Sequence, residues 1–347
     1  MVLKLLWGSL GVAPVAIVIH FAFHPGGTVD FLLASAALVP LAWLIGEATE
    51  QAAHHTGPGI GGFLNATFGN APELIIALFA VSDGLFEVVR GSLTGSVIGN
   101  LLLVLGFSLV FGGRGELDRQ SAFVSLGLVA VATLLFLIPA APAFDVQDPD
   151  ERQLYAQLSI APAIVLLLLY VVVTYVALRR HRELHIGEPP DEGAWPLRMA
   201  VAVLGVATVV TAVIAEILVG SVDAFAESAG LSDFFVAAVI IAIVGNAAEH
   251  GGAVVVAARG RIKLAAEIAL ASSAQVAVFL IPAVALLAWA IDPLALAFRP
   301  VELAVLAGSV VVTGVLVADG RSARWRGVVL IVAYAGAAAA FFAAGDR

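Results

Sequence analysis

Residues 68–80 read FGNAPELIIALFA, and residues 244–257 read VGNAAEHGGAVVVA. Each stretch sets a Gly-Asn-Ala step, and a glutamate three residues after the asparagine, inside an otherwise apolar run. The residues are Asn70 and Glu73 in the first stretch, Asn246 and Glu249 in the second. A carboxylate at the centre of a bilayer costs at least ~2.5–3.5 kcal/mol on insertion scales, so it needs a partner or a task. Whether these runs lie in a bilayer therefore decides the fold.

The composition answers. Of 347 residues, 61% are hydrophobic and only 12% are charged, with a mean hydropathy of +1.04. A soluble domain carries about 25% charged residues. Apolar runs approaching about 20 residues recur along the whole chain, the length at which a helix spans a bilayer core. The chain reads as an all-α polytopic membrane protein. With no cysteine, a disulfide framework, a thiolate metal site and a cysteine nucleophile are excluded. Lys4 precedes the first apolar run as in a signal peptide, but no small-x-small cleavage site follows, which predicts an uncleaved first helix.

Breaking the sequence at charged, Gly-rich and Pro-rich punctuation predicts eleven spans: 5–23, 29–52, 60–82, 91–112, 121–141, 156–178, 199–219, 233–257, 265–290, 301–318 and 327–344. With that count, thirteen basic residues share one side (Lys4, Arg114, Arg119, Arg179, Arg180, Arg182, Arg198, Arg259, Arg261, Lys263, Arg321, Arg324, Arg326). Four take the other: Arg90, Arg152, Arg299 and Arg347. The positive-inside rule then puts the amino terminus inside and the carboxyl terminus outside. The expected organisation is a first helix (1–27), five helices (28–178), a cytoplasmic linker (179–198) and five more helices (199–347). Five is odd, so the second set starts from the opposite side, and the repeats are inverted. Inverted repeats with interrupted helices at mid-membrane mark secondary transporters.

Glu73 and Glu249 lie in the second helix of their sets, with no basic residue at their depth. Two unpaired acids raise the affinity of the pair for protons, and they also suit a hard divalent cation, which takes oxygen ligands. Asn70 and Asn246, three residues earlier, share nearly the same helical face and offer amide oxygens. Gly69, Pro72 and Gly245 favour a local break that frees backbone carbonyls as further ligands. Acids also precede each cassette by one helix (Glu47 and Glu50; Glu216), and hydroxyl and amide residues follow it (Ser92, Thr94, Ser96 and Asn100; Ser272, Ser273 and Gln275). His250 is a candidate proton group. Blander roles compete: the row Gly91, Gly95, Gly99 suits close helix packing, and Thr94, Ser272 and Ser273 can bond their own helix backbone. His54 and His55 suit an interfacial position, and Asp145, Asp148, Asp150 and Glu151 a solvated loop.

GGFLNATFGNAPELIIALFAV and VIIAIVGNAAEHGGAVVVAARG closely resemble the two repeat motifs of cation/proton exchangers of the calcium/cation antiporter superfamily. LIGEATEQAAHHTGPGIGG, GSVIGNLLLVLGFSLVFGG and ASSAQVAVFLIPAV extend the likeness over essentially the whole chain. The resemblance implies a calcium/proton exchanger of eleven helices, ten of them in two inverted five-helix repeats around a central site. Glu73 and Glu249 would be the central carboxylates. Asn70, Asn246, Ser96, Asn100, Ser272 and Gln275 would form the polar shell, and Glu47, Glu50, Glu216 and His250 the proton route. Arg179 to Pro196 is short and of mixed charge, unlike the long acidic segment of eukaryotic members, so the chain resembles a bacterial form in the inner membrane. Ala271 and Gly99 stand where the family often has Gly and Ser.

Such a protein is no enzyme and needs no cofactor, since calcium and protons are its transported ions. Its other partner is the lipid bilayer, with no nucleic acid, and a homo-oligomer is compatible with the reading. The alternatives are sodium/calcium or other divalent cation exchange, a cation channel, and an intramembrane enzyme. The last lacks an H-E-x-x-H motif and a cysteine nucleophile.

Overall fold

The structure, a computed structural model, describes residues 2–143, 152–182 and 195–345. The acidic loop Asp145, Asp148, Asp150 and Glu151, residues 183–194 of the linker region, and Arg347 lie outside them. Among the described residues, regular structure is helical except for one two-stranded ribbon. In chain order the α-helices are α1 (Val2–Ser9), α2 (Val12–Phe23), α3 (Gly27–Phe68), α4 (Ala71–Ser82), α5 (Phe86–Ile98), α6 (Leu105–Gly112), α7 (Arg119–Ala140) and α8 (Arg152–Arg182). They continue with α9 (Leu197–Val219), α10 (Val222–Ala229), α11 (Asp233–Phe235), α12 (Ala242–Gly245), α13 (Ala247–Ala258), α14 (Ile262–Gln275), α15 (Ile281–Leu287), α16 (Pro300–Val317) and α17 (Arg324–Ala344). Three π-helical turns, Gly99–Val104, Val236–Ile241 and Val276–Leu280, join α5 to α6, α11 to α12 and α14 to α15.

Nine helices among the described residues are long and apolar enough to cross a membrane, and up to ten if Val222–Ala229 and Asp233–Gly245 form one bent span. Several expected spans are divided differently, among them the eighth, which breaks at Asn246. The first is interrupted at Leu10–Gly11, between α1 and α2. The polar stretch expected to separate the second span from the third does not end the helix; α3 runs 42 residues and stops at Phe68. Pro72 has no N–H to offer the Phe68 carbonyl, which weakens the helix there. However, α13 starts at the equivalent step with Ala248 in the proline's place, and α3 itself passes Pro40 and Pro58, so the shared Gly-Asn-Ala step marks the break. The chain restarts as α4, whose Leu74 N–H bonds Asn70 O at 3.0 Å. The helix bounds then recur at a fixed interval: α4 maps onto α13 at both ends, the start of α5 onto the start of α14, and the end of the first π turn onto the end of the third.

One compact unit comprises Met1–Phe79, Leu168–Ala229 and Val244–Ala248. Its centre is the packing of α3 and the start of α4 on α9, where Ile45, Ala48 and Ala71 meet Leu204 and Ala207. Phe31 stacks on Phe225 at 4.1 Å between ring centroids. His55 and Gln51 both reach the Trp195 backbone, through its carbonyl at 2.7 Å and its N–H at 2.9 Å. His54 and His55 are exposed.

The other unit comprises Ala80–Leu167, Gly230–Ile243 and Glu249–Arg347. Close backbone approach organises it. A β-carbon on Gly95 would stand 2.0 Å from Ala238 O, and one on Gly91 3.0 Å from Phe234 O, so two of the three glycines in the expected row are packing residues. Gly106 and Gly327 bring α6 onto α17 in the same way, with a Gly327 β-carbon 2.4 Å from Gly106 O. The ribbon pairs Gly115 with Ser322 and Glu116 with Arg321. Leu294 to Arg299 is non-helical yet buried, held by Leu296 N–H to Ser159 Oγ at 2.9 Å and by Arg90 to Ala295 O at 3.4 Å. Large apolar side chains such as Leu134, Val172, Val209, Val315 and Phe342 are exposed, while Thr49, Asn70, Asn100, Ser273 and Glu302 are buried. That is the distribution lipid demands and water penalises.

Candidate cation site

Both cassettes build the same local device. The helix stops at the asparagine step, restarts, and carries its acid as the third residue of a 12-residue helix, Glu73 in α4 and Glu249 in α13. A first-turn position sets a carboxylate at the positive end of the helix dipole, which favours the anion. The C-terminal ends of α3 and α12, at the same breaks, leave carbonyl oxygens without intrahelical partners.

In the first unit Asn70, Glu73 and Asn246 are all buried, at 3%, 8% and 1% exposure. Gly245, the last residue of α12, faces Glu73, with its missing β-carbon only 3.5 Å from Glu73 Cγ. A residue of the second cassette thus abuts the acid of the first. Gly69 is exposed at the break.

In the second unit Glu249 is half-buried, and its Oε2 accepts a hydrogen bond from Ser272 Oγ at 2.9 Å. Ser272 Oγ in turn accepts from Asn100 Nδ2 at 3.0 Å. Asn100 projects from the π turn Gly99–Val104, and such turns redirect side chains at functional sites. The His250 ring lies over Gly99, with Cε1 3.9 Å from the glycine's absent β-carbon, and its buried Nε2 has no hydrogen-bond partner among the described residues. Gly99 is therefore the member of the glycine row that faces this polar group rather than a packed backbone.

The other sequence candidates are placed as follows. Ser96 is buried in α5, and Gln275 is half-buried at the end of α14. Ser273 bonds its own helix through Ala269 O at 3.0 Å and also reaches Val97 O at 3.4 Å. Ser92 bonds Val89 O at 3.1 Å, and Thr94 turns instead to Glu302 Oε1 at 3.4 Å. Glu47 is half-buried and accepts from Gln51 Nε2 at 2.9 Å, whereas Glu50 in α3 and Glu216 in α9 are exposed.

Sequence reasoning missed the polar cluster that fixes α5 to α16. Glu302, 1% exposed, accepts the Arg299 N–H at 2.7 Å. The Arg299 guanidinium lies 3.6 Å above the Phe234 ring and donates to Gly345 O at 2.7 Å, while Glu87 pairs with Arg90 at 3.5 Å. The signal was the run Arg299-Pro300-Val301-Glu302, with Pro at the first helical position and Glu at the third. Arg90 and Arg299, two of the four basic residues that the sequence assigns to the minority side, are thus internal fasteners. A third, Arg152, pairs with Asp292 and covers the Phe86 ring at 4.1 Å.

The family model described as sodium/calcium exchanger protein matches residues 27–179 and 199–343. A Ca(2+)/H(+) antiporter of Synechocystis is 38% identical over 346 residues, spanning 91% of this chain and 91% of the relative. Ca(2+)/H(+) antiporter ChaA of Bacillus subtilis is 38% identical over 337 residues, spanning 94% of this chain and 95% of the relative. The solved structure of native YfkE superposes with a TM-score of 0.82 at 33% identity, covering 99% of this chain and all of that one.

Proposed function

Since the chain belongs to the sodium/calcium exchanger protein family, we propose that it is a secondary antiporter exchanging Ca2+ for H+ across a membrane and exporting calcium from the cytoplasm. The observation that carries this is the repeated device: a buried or half-buried acid in the first turn of a broken helix, with an amide residue at the break. Relatives at 38% identity are named Ca(2+)/H(+) antiporters, and a structure of YfkE carries the same description.

Glu73 and Glu249 are the proposed carboxylate ligands. Asn70, Asn246 and the carbonyls of Gly69 and Gly245 are further oxygen ligands, with Ser96, Asn100, Ser272 and Gln275 around them. Glu47, Glu50, Glu216 and His250 are the proposed proton route. Calcium needs both acids ionised and protons neutralise them, so one site cannot hold both loads. An empty, doubly charged site in a low-dielectric setting is costly. If the transporter changes its open side readily only when that charge is neutralised, uptake of one ion is tied to release of the other.

The finer architecture belongs to the same proposal: eleven crossings, the first helix (1–27) standing apart, and two inverted halves, 28–178 and 199–347, joined by a cytoplasmic linker. The recurrent helix bounds and the two matched segments support it. So does the contact of Ser273 with the carbonyl of Val97, the residue at the same place in the first half, as expected beside a pseudo-two-fold axis.

Calcium uptake into inside-out vesicles, with and without an imposed pH gradient, tests the reading. Uptake that needs the gradient and vanishes in Glu73→Gln is the expected result. Uptake driven by sodium would move the chain to the sodium-coupled branch, and downhill flux indifferent to both gradients would make it a channel.

A further inference from the structure

Ser272 has one proton to give. An ionised Glu249 can only accept, so that proton goes to Glu249 Oε2 at 2.9 Å, and Ser272 Oγ must then be held by a donor from its other side. The amide of Asn100 supplies that donor at 3.0 Å. Asn100 and Ser272 are buried, at 0% and 2% exposure, and Asn100 Oδ1 is a buried oxygen with no hydrogen-bond partner among the described residues. The backbone explains the aim: Asn100 lies within the π turn, where its carbonyl accepts the Leu105 N–H.

The interval that relates Glu73 to Glu249 also relates Ser96 to Ser272, but it sets Asn100 opposite Val276. The hydroxyl is repeated and the amide is not. An unrepeated buried amide with one end unbonded carries a desolvation cost, which a task in only one half of the site accounts for.

We infer that Asn100 is a positioning residue for divalent-cation binding: through Ser272 it pins Glu249 by Oε2, so that this acid offers the ion only Oε1. The inference rests on the exchange reading above and gives its two acids different duties. Glu249 is a one-oxygen ligand in a fixed orientation, set by a chain of two hydrogen bonds that begins on α5's π turn. Asn100 and Ser272 then act as one unit, and removing either removes the whole effect.

The test is the calcium concentration dependence of gradient-driven uptake in Asn100→Ala, Ser272→Ala, the double variant and Ser272→Thr. Calcium-induced thermal stabilisation of each purified protein is measured alongside. Both single substitutions should raise the half-saturating calcium about tenfold, the worth of one hydrogen bond to a charged group. The maximal rate should change little, the double variant should be no worse than either single one, and Ser272→Thr should restore binding by keeping the hydroxyl. Effects that multiply in the double variant, or Ser272→Thr behaving as Ser272→Ala, would overturn the inference. So would a loss of maximal rate at unchanged half-saturation. Wild-type uptake indifferent to the pH gradient would defeat the exchange reading alone, because the thermal stabilisation by calcium still reports whether Asn100 and Ser272 act together.

Discussion

Gly245 stands against Glu73, its absent β-carbon 3.5 Å from Cγ, 3.9 Å from Cδ and 4.0 Å from Cδ1 of Ile76. The space around the first acid is therefore set by a residue of the second cassette. One methyl group there makes ordinary contact, whereas a branched side chain must displace the carboxylate. Gly245→Ala should keep calcium uptake within about twofold. Gly245→Val should raise half-saturating calcium by about tenfold or more, the order expected of a 1–3 kcal/mol overpacking cost. Equal transport by both variants would show that Glu73 does not bind the ion from this position.

Gly95 and Gly99 share one helix face but separate in role. A Gly95 β-carbon would overlap Ala238 O at 2.0 Å, while one at Gly99 meets only the edge of His250 at 3.9 Å. Gly95→Ala should cost about 1–3 kcal/mol or more, because backbone rather than a flexible side chain must move. Gly99→Ala should leave the melting temperature of the purified protein nearly unchanged. Similar melting temperatures for both would refute the packing role of Gly95.

Arg299 is 8% exposed and joins Glu302, Glu87, Phe234 and Gly345. Removing one partner of a buried ion pair typically costs about 3–5 kcal/mol, since the other charge is left uncompensated. Arg299→Ala should lower the melting temperature sharply. Arg299→Lys should recover little, because a single ammonium cannot cover Phe234 and reach both carboxylates and Gly345 O at once. Full recovery by lysine would mean that only the charge matters.

Asp319, in the turn after α16, takes two hydrogen bonds from Arg326, at 2.5 and 2.6 Å. They hold its carboxyl well below the usual aspartate range. A folded-state value depressed in this way contributes stability above the unfolded value and loses it as pH falls through the folded one. Asp319→Asn should therefore lower the unfolding midpoint at pH 7, and the gap to wild type should narrow as the solution is acidified toward and below pH ~4, the unfolded aspartate value. The side chain is exposed, so the effect is small and salt-sensitive. A gap that widens on acidification would contradict this assignment.

The breaks beside both acids were legible because the Gly-Asn-Ala step is written at each, with the N–H missing from Pro72 adding to the first alone. The exact count of helices was less so. The same sort of Gly/Pro punctuation at 57–62 leaves α3 intact, since membrane helices tolerate such residues when neighbours satisfy the freed backbone. Thr94 and Ser272 looked equivalent in the sequence, both small hydroxyl residues after an acidic cassette. One bonds Glu302 and the other Glu249, a choice made by which helix packs beside each. Glu302 itself went unnoticed because a single buried acid near a span end carries no repeat to mark it.

The sequence by itself determined that the chain lives in a membrane, since too few charges exist to cover a water-facing surface. It also determined that two acids sit at equivalent broken helices, since the cassette is written twice. Tertiary structure decided what surrounds each acid: Gly245 against Glu73, and Ser272 with Asn100 behind Glu249. Periodicity and spacing act along one helix, whereas these contacts join residues about 170 positions apart and arise only when side chains from separate helices compete for the same buried space.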